Sequence, residues 1–84
     1  MANVLMDKFI LAVYSHGGRE GKSASESDLL EHGFSKADLF SASESAESRG
    51  LSKPVESQNA PIEFILTLKG HRYAEALLDD TGVN

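Results

Sequence analysis

The residues of this 84-residue chain that could do chemistry are three histidines, a run of serines and eight cations. His16, His32 and His71 share no spacing of one helical turn, and there is no Cys. The pattern therefore assembles neither a helical His pair nor a thiolate set for zinc. The serines lack a Gly-x-Ser-x-Gly elbow, and none stands in recognisable register with a His and a carboxylate. Gly21-Lys22-Ser23 looks like the end of a phosphate loop, but the first glycine of that motif would fall at position 16, which is His16. No enzymatic activity, metal or cofactor is expected.

The cations offer a different chemistry. Lys36, Arg49 and Lys53, with Arg19 and Lys22, could surround one face and hold phosphates from its edges. The opening N–H groups of a helix starting at Ser35 would point at the same ligand. Taken singly, each cation is as well explained as solvated surface charge, and Arg49 as a partner for the last carbonyls of its own helix. The net charge is −5. Nucleic-acid binders usually carry an excess of Lys and Arg, because neutralising phosphates supplies much of the affinity. The opposite balance here adds weight to a protein partner.

These residues must be positioned by a short chain. Eighty-four residues make one domain, burying roughly 60% of the surface its unfolded chain exposes. Residues 3 to about 15 read as a first helix capped by Asn3, with an apolar arc wide enough for a central helix or for one edge left bare as a dimer seam. His16-Gly17-Gly18 ends it, and residues 19–24 form a polar connector. The organising stretch is 25–51. Ser25 or Ser27 can cap a short helix whose buried side is Leu29 and Leu30, and Gly33 is placed for a left-handed residue at its end. Ser35-Lys36-Ala37-Asp38 is a capping-box-like start to a second, longer helix that Gly50 closes. Leu39, Ala42, Ser43 and Ala46 fall on its inward side, and Ala37, Ser41, Glu44 and Ser48 on the outward side. Phe40 lies between them. Residues 51–56 read as a strand with Leu51 and Val55 on one face and Pro54 at an edge or bulge. Residues 57–61 make a turn, residues 62–68 a second strand, and Tyr73, Ala74, Leu77 and Leu78 the apolar stripe of a last helix over 69–79.

This order resembles the winged-helix family of helix-turn-helix domains. Three strings carry the likeness: LLEHGFSKADLF (29–40), which looks like the turn into that family's recognition helix; ESRGL (47–51), like its end; and FILTLKGHRYAEALL (64–78), like the second wing strand running into the last helix. The resemblance implies an α+β fold of three helices, a two-stranded β-hairpin wing and a C-terminal helix. The chain would be one domain over 1–84, with the helix-turn-helix at 25–50, the wing at 51–68 and the last helix at 69–79. It also implies a small transcriptional regulator that binds double-stranded DNA as a homodimer through Ser35, Lys36, Ser41, Ser45, Arg49, Lys53 and Asn59. The two recognition helices of such a dimer would lie roughly 34 Å apart. The chain departs from the family on its outward face, where base-reading Arg, Lys, Asn or Gln give way to Ala37, Ser41, Glu44 and Ser48. The alternative is a winged-helix protein-interaction module without DNA binding. No run is long enough to span a bilayer and no basic leader precedes the first helix, so the expected location is the cytoplasm.

Overall fold

The computed structural model describes residues 4–16, 23–56 and 62–80. Seven elements follow in chain order: α1 (Val4–His16), β1 (Ala24–Ser25), α2 (Glu26–Leu30), α3 (Lys36–Ser48), β2 (Ser52–Val55), β3 (Glu63–Leu66) and α4 (Leu68–Asp80). Together they make a small α+β arrangement of four helices and one three-stranded antiparallel sheet among the described residues. No helix among these residues is long and apolar enough to cross a membrane.

The core is built on α1. Its Met6, Phe9, Ile10, Ala12 and Val13 are buried, and it touches α2, α3, α4 and β3. The wide apolar arc is thus covered on several sides, as a central helix requires. Met6, Phe9, Ile10, Val13 and Leu29 are the largest fully buried side chains, each contributing about 1.5–3 kcal/mol of burial free energy. Phe9 meets Phe34 and Phe64 edge-to-face, with ring centroids 6.5 and 5.4 Å apart. Those contacts lock α1 to the segment before α3 and to the sheet. The Lys8 ammonium covers the Phe34 ring at 5.0 Å.

Local capping sets the helix boundaries. Ser25 caps α2 in a complete box: its hydroxyl accepts from the Asp28 amide and its own amide donates to Asp28 Oδ2, both at 3.2 Å. The reciprocal box therefore forms at α2. At α3, where the pattern suggested one, the bond present is from the Asp38 amide to the Ser35 hydroxyl, at 3.1 Å. Gly33 ends the α2 turn at φ 95°. Gly50, at φ 74°, ends α3 in a Schellman motif. In it the Gly50 amide bonds the Glu47 carbonyl and the Leu51 amide bonds the Ala46 carbonyl, at 3.0 and 2.9 Å. Leu51 is thereby turned into the core.

Three expectations need correction. The sheet has three strands instead of two, because Ala24, at the end of the expected polar connector, and the cap residue Ser25 pair with Phe64 and Glu63. Ala24 is fully buried there, and the ladder continues through Glu26 N–H to the Ile62 carbonyl. The last strand stops at Leu66, and Leu68 begins α4 as an exposed residue. Thr67 makes the break: its hydroxyl accepts from the Gly70 amide, as a helix-capping residue does, and donates to the Gly50 carbonyl at 2.6 Å. Leu51 and Val55 do not share a buried strand face, since β2 starts at Ser52, whose buried hydroxyl donates to the Ile65 carbonyl, while Val55 is exposed. The strand order is β1-β3-β2, which leaves Pro54 on an edge strand, where its missing N–H is tolerated.

Candidate interaction face

Helix α3 buries Leu39, Ala42 and Ala46, half-buries Ser43 and Ser45 and exposes its other residues. The small buried residues let it lie close to α1. Its outward side presents Lys36, Ala37, Phe40, Ser41, Glu44, Glu47 and Ser48. Phe40 resolves outward: 65% of its surface is exposed. Ser43, expected inward, is half-buried and turns its hydroxyl back to the Phe40 carbonyl at 2.9 Å.

Between this side of α3 and the β2–β3 hairpin runs a groove of about 230 Å³. Phe40, Pro54, Ile62 and Phe64 supply its apolar surface, and Glu44, Glu47 and Glu56 its acidic surface, against one cation, Lys53. The sequence places Glu44 on the outward side of this helix, and its acidic balance favours a protein partner. Sequence reading missed the convergence with Glu56, Ile62 and Phe64, because those residues come from the hairpin and only the fold brings them alongside α3.

The residues expected to meet DNA are spread out. Ser35 is exposed, with its hydroxyl engaged by the Asp38 amide. Lys36 stands on the first turn of α3 and Arg49 caps the other end of this 13-residue helix. At 1.5 Å per residue they are about 20 Å apart along the axis. Ser41 is exposed midway. Ser45 is half-buried, and its carbonyl accepts from the Ser48 hydroxyl and the Arg49 amide. Lys53 lies in the acidic groove. Asn59, like Arg19 and Lys22, lies outside the described residues. Arg49 has a neighbour the sequence did not suggest: Lys69 Nζ donates to the Arg49 carbonyl at 3.2 Å, where a cation complements the negative end of α3.

Further contacts lie away from this face. His16 and His32, distant in sequence, meet edge-to-face with centroids 4.6 Å apart, joining the ends of α1 and α2. The Asp28 carboxyl is held below the usual carboxylate range, first by the Ser25 amide and then by the Ser25 hydroxyl, with smaller help from His16 and His32. Among the described residues, no three His, Cys, Asp or Glu side chains come together as metal ligands. On α4, the Tyr73 phenol donates to Asp7 Oδ1. That bond, followed by burial and the Asp7 charge, raises the Tyr73 pKa above its ordinary value.

No protein-family model, curated protein or solved structure matches this chain.

Proposed function

We propose that the chain is a winged-helix domain that works as a protein-interaction module through α3 and the β2–β3 hairpin. The fold assignment is supported by element order: a core helix, a two-residue strand, two helices joined at Gly33, a hairpin and a closing helix, with β1 completing the sheet beside β3. The partner class is carried by one observation. The outward side of α3, where a duplex would lie, centres on the exposed ring of Phe40 and carries Glu44 and Glu47. An apolar ring flanked by carboxylates suits a protein surface. Against a phosphate backbone the same carboxylates repel.

Duplex DNA is the second reading, favoured by the exposed first turn of α3. There Ser35 and Lys36 adjoin the small residues Ala37 and Ser41, which permit close approach. On that reading Ser35, Lys36, Ser41, Ser45, Arg49, Lys53 and Asn59 contact the duplex, and a homodimer formed through α1 and α4 acts as a small regulator. The two readings separate in a fluorescence-anisotropy titration of a random duplex at about 50 mM salt, where even sequence-independent affinity is expressed. The protein reading expects no binding. Saturable binding that weakens in Lys36→Ala and Arg49→Ala would replace it with the DNA reading.

A further inference from the structure

We infer that the groove between α3 and the hairpin receives a short basic segment of another protein, anchored by one apolar side chain and held by Lys or Arg on either side. This rests on the protein-interaction reading and names the chemistry of its partner.

The groove is built to hold a shape. Phe64 on its floor is 9% exposed and its ring is fixed edge-to-face on the core residue Phe9. Pro54 stiffens the adjoining strand, and its missing N–H takes a donor from the β2 edge, which disfavours docking as an added strand. Phe40 and Ile62, 65% and 40% exposed, are the large apolar side chains of its lining that the described residues leave open to solvent. At about 230 Å³ the space falls below the roughly 300–1,000 Å³ of small-molecule sites and suits one or two side chains.

Charge selects the occupant. Glu44, Glu47 and Glu56 against Lys53 give the lining a net charge of −2, three carboxylates less one ammonium. A duplex brings one negative charge per ~1.7 Å and is repelled. A second copy of this chain brings a net charge of −5. A segment with cations on both sides of a Leu- or Phe-sized anchor satisfies both halves of the surface, because guanidinium groups pair with carboxylates in a forked geometry while the anchor fills the apolar floor.

The test is selection from a displayed library of randomised twelve-residue peptides on the full chain, followed by affinity measurement with synthetic copies of the enriched sequences. Expected are sequences with a single large apolar residue flanked by two or more Lys or Arg. Their binding should weaken about tenfold or more in Phe40→Ala and in the triple variant Glu44→Gln, Glu47→Gln, Glu56→Gln, with circular dichroism unchanged. Enriched peptides without cations, affinities indifferent to both variants, or no enrichment would overturn the inference. So would a dimer in sedimentation that Phe40→Ala dissolves, which makes the groove a self-contact. A parallel arm with random duplex keeps the two claims apart. Duplex binding removes the protein reading itself. Failed selection without duplex binding removes only the basic-segment assignment.

Discussion

The Tyr73 hydroxyl lies 2.5 Å from Asp7 Oδ1, a side-chain hydrogen bond that ties α4 to α1. Folding raises the Tyr73 pKa, so the bond stabilises the fold fully below the unfolded phenol value near 10 and is lost as pH rises through the higher folded value. Tyr73→Phe should cost about 1 kcal/mol in urea unfolding near neutral pH, the size of a partly exposed charge-assisted bond. It should also remove this contribution to the alkaline loss of stability. An unchanged alkaline limb in the variant would contradict the assignment.

Gly70 should tolerate no side chain. A Cβ built there would meet the Leu51 carbonyl oxygen at 1.9 Å and its carbon at 2.9 Å, where the start of α4 passes the backbone that follows α3. Both partners are backbone, so neither can rotate away. Gly70→Ala should cost about 3 kcal/mol or more despite the better helix propensity of Ala, read as a fall in urea midpoint. Gly50, with nothing within 4 Å of its Cβ position, should lose less on substitution, through its φ of 74° alone.

The α2 capping box should be visible in acid. Ser25→Ala removes the hydroxyl that caps the Asp28 amide and should cost about 1 kcal/mol. Because the folded Asp28 pKa is depressed, its contribution is present above the ordinary value of 3.8 and is lost as pH falls through the folded value. The stability difference between wild type and Ser25→Ala should therefore shrink below pH ~4, measured by thermal unfolding across pH. A difference constant down to pH ~2 would show that Asp28 is not coupled to the cap.

What the sequence disclosed follows from how far apart the interacting residues are. The caps at Ser25 and Ser35 and the left-handed Gly33 and Gly50 act within a few residues of themselves, so their grammar reads directly. The alternation of Leu39, Ala42 and Ala46 on α3 is equally local. Strand β1 was invisible because two residues carry no periodicity and their partners, Phe64 and Glu63, lie far along the chain. The start of α4 was misplaced because Thr67 and Leu68 fit a strand as well as a helix start, and the hydroxyl contacts of Thr67 decide between them. The DNA-facing set follows from the family resemblance and from residue type along one helix and strand. The fold separates Lys36 from Arg49 along the helix and puts Lys53 among carboxylates, which residue types alone do not reveal.

Phe40 should be energetically quiet in the folded chain and decisive in binding. Its ring is mostly in solvent, so Phe40→Ala should change stability by less than about 0.5 kcal/mol in urea unfolding. A loss of about 2 kcal/mol or more, approaching the ~3–5 kcal/mol of truncating a buried Phe, would mean the ring packs on the domain and is not available to a partner.

The central claim is most directly tested by backbone amide shift mapping of the labelled chain against two ligands at about 50 mM salt: a random duplex and a basic peptide enriched on the α3–hairpin groove. The account predicts peptide-induced shifts confined to the neighbourhood of Phe40, Glu44, Glu47, Lys53 and Ile62, with no response to the duplex. Shifts running along α3 from Lys36 to Arg49 on addition of duplex would contradict it.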